Sequence, residues 1–468
     1  MQYDVIIIGS GFASMFFLQG LLDKKNSPKR ILIIEKGANE PHFERLAKRR
    51  FIQWSETSTQ TITNNTPEKP WTYSIAYGGG SNCWFGSTPR ILPNGFKTKT
   101  DFGIGQDWPI DYNTLEQYYT KAEGILEVSG GETPYPKSAP YPLPAHRLSE
   151  PDEILREAYP EYYFSLPTAR ASRPSKRPQC CGNGVCFLCP IDSKFTIENG
   201  MRYVRDDSRI EVVYNASVKN ISHSQGIANG VSATMKDGSE KYFSGDIIAL
   251  GANAIFNPWI LLKSGIKTPQ TGKGLCEQAG AAINVKLKGL KNKQGSTVTT
   301  GWGVKDLFSN DRSQRSGFMF NTVNRPMNIQ LDPNSPFSHL EIIASIEDFR
   351  QERNKVTFDD SDKPQIEFHG HSEFAEKTFK RIEELVGELI EPLPIESIKF
   401  SHRRTTESHI QCTTPMGESP DSSVADKYCK HHNFSNLYVL GSGNFPTASP
   451  ENPTLTICAL SLYAADNI

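Results

Sequence analysis

The segment that most limits what this chain can fold into lies near its start. Val5-Ile6-Ile7-Ile8 is a continuous apolar, β-branched run of the kind that forms a parallel strand buried on both faces. Gly9-Ser10-Gly11-Phe12-Ala13-Ser14 follows at once, and Met15 to Leu22 is apolar enough for a buried helix. Arg30-Ile31-Leu32-Ile33-Ile34 reads as a second buried strand, ending at Glu35 and Lys36. Strand, helix and strand make a βαβ unit with G-x-G-x-x-G spacing, except that Ser14 stands at the third glycine position. Gly9 permits the tight turn. Gly11 lets the backbone approach a pyrophosphate on the partial positive charge of the helix N-terminus. The expected contact set is Gly9, Gly11, Phe12, Ala13, Ser14, Glu35 and Lys36. Glu35 lies 24 residues after Gly11, near the ~20 expected for an acid on a ribose hydroxyl. An acid there would repel a 2′-phosphate, which argues against NADP. With strand, helix, second strand and acid in order, the signal is strong, yet it does not separate FAD from NAD.

A second signal lies in the tail. Asn436 to Leu440 reads as another buried strand, and Gly441-Ser442-Gly443-Asn444-Phe445-Pro446-Thr447 is a glycine-rich loop able to approach a ring closely. Asn452-Pro453-Thr454 then opens a helix, with Asn452 suited to the N-cap and Pro453 to the first helical position. That helix N-terminus would favour an anion above the strand end.

Composition narrows the class. A length of 468 residues gives a prior of about three domains and ample core. Lys+Arg 51 against Asp+Glu 52 argues against a dedicated nucleic-acid binder. No run approaches the ~18 apolar residues of a membrane span, and Met1-Gln2-Tyr3-Asp4 leads straight into a strand rather than a signal peptide. The expected compartment is the cytoplasm, with co-export on a signal-bearing partner left open. Nine cysteines, an odd number and mostly scattered, do not form a secreted disulfide framework.

Several segments together resemble the glucose–methanol–choline (GMC) oxidoreductases. Val439 to Ile468 resembles the family's closing signature, with its "FPT" and "NPTLTI" runs. Gly78-Gly79-Gly80-Ser81-Asn82-Cys83-Trp84 resembles its second flavin-binding loop, and Asp107-Trp108-Pro109-Ile110 with Leu115, Tyr118, Tyr119 and Glu123 the segment after it. Ala249-Leu250-Gly251-Ala252 with Asn257-Pro258, and Arg353-Asn354-Lys355-Val356, follow in family order. The chain is most similar to the bacterial FAD-dependent sugar dehydrogenases and pyranose oxidases, and shorter than most of them. The resemblance implies an α/β fold: a Rossmann-like FAD-binding domain with a central parallel sheet, and an α+β substrate domain with an antiparallel sheet. It implies a discontinuous FAD domain, residues 1–280 and 409–468, with an excursion at 131–200, and a substrate domain at 281–408.

The resemblance also implies FAD and the oxidation of an alcohol CH–OH, in a sugar or sugar-like molecule, by hydride transfer to flavin. It places further cofactor contacts at Gly79, Gly80, Ser81, Asn82, Cys83, Val218, Gly251, Ala252, Gly443, Asn444, Pro453 and Thr454. That chemistry needs a base and a donor to the substrate oxygen. The resemblance implies His409 as base and Asn452 as its partner. His402 is the rival for the base, and Asn452 has a plainer role as helix cap, which leaves its amide free to donate. Cys83 carries two readings, a thioether to the flavin or a small residue packed near the ring. Rival readings of the whole chain are a flavin amine oxidase or hydroxylase, and a flavin-fold binding module without catalysis.

Cys180-Cys181-Gly182-Asn183-Gly184-Val185-Cys186-Phe187-Leu188-Cys189 packs four cysteines into ten residues. Adjacent Cα atoms ~3.8 Å apart fall below the usual disulfide span, which argues against a Cys180–Cys181 bond. Four thiolates suit zinc or an iron–sulfur cluster, and reduced packing residues are the alternative. Similarity to the sugar dehydrogenases implies a [3Fe–4S] cluster on Cys180, Cys181 and Cys186, although the gap to Cys189 is one residue shorter here. A cluster would export electrons singly to an external acceptor or redox partner protein, making the enzyme a dehydrogenase rather than an oxidase. Elsewhere, residues 38–70 read as a surface excursion, Arg170, Arg173, Lys176 and Arg177 as a solvated basic face, and Ala375 to Ile390 as helix.

Overall fold

A computed structural model describes residues 2–48, 60–290, 294–324, 337–359 and 361–468. The inner part of the first sheet starts with β1 (Gln2–Ile8) and β2 (Ile31–Ile34), joined by helix α1 (Phe12–Leu22). Next along the chain come α2 (Tyr112–Leu126), β3 (Tyr163–Ser165), β4 (Ile210–Val213), β5 (Ser217–Ser224), β6 (Ile227–Thr234) and β7 (Glu240–Leu250). After them stand α3 (Asn253–Lys263), β8 (Ala279–Leu290), β9 (Thr299–Gly303), β10 (Phe318–Val323) and β11 (Phe337–Ile346). The chain ends through α4 (Glu373–Lys380), α5 (Ile382–Leu389), β12 (Ile395–Arg404), β13 (Leu437–Val439) and α6 (Thr454–Asp466).

The first sheet runs β4-β2-β1-β7-β6-β5, with β13 also on β7. Its β4, β2, β1, β7 and β13 are mutually parallel, as the buried apolar runs require. Strand β7 serves two layers. Its first half pairs antiparallel with β6 (Glu240↔Thr234), and its second half pairs parallel with β1 (Ile8↔Leu250). Helix α1 is apolar all round and buried on nearly every side, which a helix of that kind must be. Gly20 lets it close on α6: a Cβ there would stand 2.6 Å from the Ala465 methyl.

The second sheet is antiparallel, in the order β12-β8-β11-β10-β9-β3. Its edge strand β3 comes from the 131–200 segment and pairs with β9 (Gly301↔Ser165). One face packs Ile283, Phe318, Phe320, Ile342 and Ile346 against Ile382, Leu385 and Val386 of α5. The helical run from Ala375 is two helices rather than one, broken at Arg381 (φ −109°). Among the described residues no helix is long and apolar enough to cross a membrane. All nine cysteines are free thiols.

Two expectations need correction. The 38–70 segment is not wholly surface, because Lys69 is buried and paired with Glu277. Arg170 and Arg177 are not solvated. Arg177 donates from Nη1 to Ala169 O (2.7 Å) and from Nη2 to Leu126 O (2.7 Å), and Arg170 Nη1 donates to Phe85 O (2.6 Å). Backbone carbonyls neutralise the cost of burying these guanidiniums. Arg173 and Lys176 are exposed as expected.

Candidate active site

The two sheets meet around a cavity of about 570 Å³, within the ~300–1,000 Å³ usual for cofactor and substrate sites. Gly9, Gly11, Phe12, Glu35, Lys36, Gly79, Gly80, Cys83, Val218, Gly251, Ala252, His409, Asn452, Pro453 and Thr454 all line it. Residues more than 400 apart in sequence thus converge on one space. Ala13, Ser14, Ser81, Asn82, Gly443 and Asn444 do not line it and support it from behind. Ser81 Oγ donates to Gly78 O (2.7 Å), Asn82 Nδ2 to Tyr77 O (3.0 Å), and Asn444 Nδ2 to Val439 O (2.5 Å).

The cradle is built for close approach by a ligand. Gly9 has φ +88°, and a Cβ there would stand 2.7 Å from Gly251 O. A Cβ on Gly11 would meet nothing within 4 Å, so the space over the α1 N-terminus is open. No side chain caps α1 and its first turn holds no acid, so its first amides face that space as free donors. Ser14 replaces glycine because Gly251 makes room: a Cβ on Gly251 would collide with Ser14 Oγ. Glu35 accepts from Ser10 Oγ (2.6 Å), Ser10 N (3.1 Å) and Gly37 N (2.7 Å). Those three donors leave a carboxylate lone pair for a ribose hydroxyl. Burial raises the Glu35 pKa, against the lowering effect of those same bonds. This uncapped, acid-free helix start, with open space above it, fits the diphosphate of FAD.

His409 follows Ser408, whose φ of +61° is rare for a residue with a Cβ. Glu277 Oε1 accepts from His409 N (2.9 Å) and Thr406 Oγ1 (2.8 Å), and Lys69 pairs with the same carboxylate. Gln278 Nε2 donates to Ser449 O (2.6 Å) and Glu451 O (3.1 Å), which fixes its amide so that Oε1 faces His409 Nδ1 at 3.0 Å. That network assigns the ring proton to Nδ1 and leaves Nε2 with a lone pair. Asn452 Nδ2 lies 3.3 Å from Nε2, while its Oδ1 is buried without a partner. Burial, with the Arg404 and Lys69 cations near it, holds His409 down to about 3. It is neutral at physiological pH.

Asn452 is not the helix cap. Helix α6 starts at Thr454, with Pro453 in the cap position and no side-chain cap bond. The rival His402 is exposed on β12 and does not line the cavity. Cys83 lines it, but burial pushes its thiol up and Sγ donates to Gly80 O at 3.6 Å, as a packed thiol would.

The cysteine segment shows no support for the expected cluster. Among the described residues, no three His, Cys, Asp or Glu side chains are grouped to hold a metal ion. Cys181 is exposed, Cys180 Sγ contacts Thr297 Oγ1 at 3.4 Å, and Cys186 packs with Val298 and Val323. The loop, turned at Gly182 (φ +67°) and Gly184 (φ +77°), instead sets Phe187 on the cavity wall. The expected ligand set of Cys180, Cys181 and Cys186 is therefore not assembled.

Sequence reasoning missed Lys69, Glu277 and Gln278. None carries a local motif, and each acts on a residue more than 100 positions away.

A βαβ cradle, a second antiparallel sheet and a histidine–asparagine pair facing one cavity are the parts that a flavin-binding oxidoreductase requires. Residues 350–461 match the GMC oxidoreductase family model. The chain is 24% identical to the fructose dehydrogenase large subunit of Gluconobacter japonicus, over 100% of this chain and 98% of that one. It is 26% identical to a C-glycoside 3-oxidase of Arthrobacter globiformis, over 56% of this chain and 54% of that one. Pyridoxine 4-oxidase from Mesorbium loti shares its fold, with a TM-score of 0.69 and 15% identity over 99% of both chains. Residues 350–461 of this chain thus resemble the C-terminal domain of the GMC oxidoreductases.

Proposed function

We propose that the protein oxidises a CH–OH group of a small sugar-like alcohol to a carbonyl, with His409 as the base. The observation that carries this reading is the Gln278–His409–Asn452 arrangement. Gln278 Oε1 accepts a hydrogen bond from His409 Nδ1–H, so Nε2 presents a lone pair to the cavity. Asn452 Nδ2 stands 3.3 Å away as a donor. A hydroxyl placed between them donates its proton to Nε2 while its oxygen accepts from Asn452, which orients the carbon hydrogen toward the cradle. FAD, when bound, supplies the hydride acceptor. Gly9, Gly11, Gly79, Gly80, Val218 and Gly251 would hold it, with Glu35 on its ribose. The low histidine pKa keeps the base free of a competing proton, and Glu277 with Lys69 fixes its backbone.

The names of the similar proteins support a sugar-like substrate: one is a fructose dehydrogenase large subunit, another a C-glycoside 3-oxidase. The word "subunit" in the first name supports a partner protein. The acceptor is read from the test itself. The holoenzyme is mixed anaerobically with a panel of sugars and simple alcohols, and bleaching of the flavin is followed. Reoxidation is then compared with air and with a quinone dye. His409→Ala should slow bleaching by ~10²–10⁴-fold with FAD content unchanged. Equal bleaching rates in wild type and His409→Ala would sink the assignment.

A further inference from the structure

Beyond the reacting pair, the cavity runs onto one face of the second sheet, where Val298, Asn321, Val323, Ile343 and Ser345 line it. Asn321 pairs with Ile343 on β11 and with Trp302 on β9, so it sits in the middle of the sheet rather than at an edge. Its neighbours on this face are largely apolar. It is 8% exposed, and its Oδ1 is buried with no hydrogen-bond partner among the described residues. Buried amide oxygens are nearly always paired. Asn321 lines the same cavity as His409 and Asn452, so a ligand group is the partner available to its unpaired amide oxygen.

The rest of the wall says what kind. Trp84, Phe85 and Phe187 form an aromatic side that suits the C–H face of a ring. Of the charged residues lining the cavity, Arg404 and Glu407 pair with each other (2.5 Å), and Glu35 and Lys36 lie at the tip of β2. No unpaired charge is left at the substrate end among the described residues, so an ionic substrate group would find no counter-charge. A carboxamide both accepts and donates, as a hydroxyl does.

We propose that Asn321 determines specificity by binding a second, non-reacting hydroxyl of a neutral polyhydroxylated substrate, a sugar or cyclitol rather than a simple alcohol. This rests on the alcohol-oxidation reading above, with His409 and Asn452 handling the first hydroxyl and Asn321 the next.

The test uses FAD-loaded wild type and Asn321→Leu, which keeps the side-chain branching at Cγ and removes both hydrogen-bonding groups. The probes are D-glucose, D-fructose, myo-inositol and cyclohexanol, added without air. Half-saturation is read from flavin bleaching for probes that reduce it and from flavin spectral perturbation for those that do not. Wild type should bind at least one polyol at least ~10-fold more tightly than cyclohexanol. Asn321→Leu should erase that preference, with cyclohexanol binding and FAD content unchanged. Asn321→Ala gives the same comparison if the leucine variant fails to load FAD. The inference is overturned if polyol binding is the same in wild type and variant, or if wild type shows no polyol preference. A wild type that prefers polyols through Asn321 but is reduced by none of them would instead overturn the oxidation reading and leave Asn321 assigned.

Discussion

At the scale of single residues, the proton position on His409 decides the chemistry, and Gln278 decides the proton position. Its Nε2 is committed to Ser449 O and Glu451 O, so only Oε1 can face the imidazole. Because burial holds His409 down to about 3, the rate of flavin reduction should show no acid limb near pH 6.5 from this group. Gln278→Glu would put a carboxylate against the Nδ1 proton and favour the imidazolium. An opposite charge in contact raises such a pKa by ~1–3 units. The acid limb should therefore move upward by that much in stopped-flow pH profiles, and an unmoved profile would remove Gln278 from its positioning role. Glu451, beside Asn452, gives a separate test on stability. Burial pushes its carboxyl up to about 7. A carboxyl raised in the folded state contributes stability that is fully present below its unfolded pKa and lost as pH rises through 7. Glu451→Gln should relieve this cost, stabilising the protein by on the order of 2–3 kcal/mol at pH 8 relative to its effect at pH 4.5. Denaturant melts at the two pH values measure it, and an equal effect at both would exclude ionisation as the cause.

At the scale of elements, the cradle is a joint between α1 and the tips of β1 and β7. The third fingerprint glycine normally lets helix and strand approach. Here the helix carries Ser14, and Gly251 at the end of β7 gives the space instead. Gly251→Ala should therefore weaken FAD retention and cost ~1–3 kcal/mol by overpacking. Ser14→Gly in the same chain should restore most of both, as contacting residues couple. FAD content after gel filtration and melting curves of the two singles and the double complete the cycle. Additive losses would mean that the two positions do not share this contact. The same joint shows why the cradle was legible from the sequence. Strand, glycine turn, helix and acid are contiguous, so their pattern survives in one dimension. Lys69, Glu277 and Gln278 reach His409 across long sequence separations and leave no periodic trace. The cysteine run is harder to read for a related reason: its place in the fold depends on turns at Gly182 and Gly184 and on the packing of Cys186 with Val298 and Val323, which spacing alone does not give. The α4–α5 break at Arg381 was also hidden, because the apolar spacing continues across it.

At the scale of the whole molecule, the cavity is the seam between the two sheets. The parallel sheet supplies the Gly9, Glu35 and Gly251 walls, and the antiparallel sheet the Asn321 and Ile343 wall. The last segment, from His409 to α6, returns from the second sheet to the first and carries both halves of the reacting pair. An occupant in this seam touches the folded state of both layers and nothing equivalent in the unfolded chain, so binding must stabilise the fold by mass action. At free FAD ~1,000-fold above Kd the gain is ~4 kcal/mol. Removing FAD should lower the melting temperature, and adding it back should raise it steadily with the logarithm of its concentration. Because the seam joins two hydrophobic cores, calorimetry of the FAD-free protein should also broaden or split into two transitions that merge on reloading. A melting temperature indifferent to FAD would mean that this cavity is not its site, and it would take the His409 and Asn321 assignments down together.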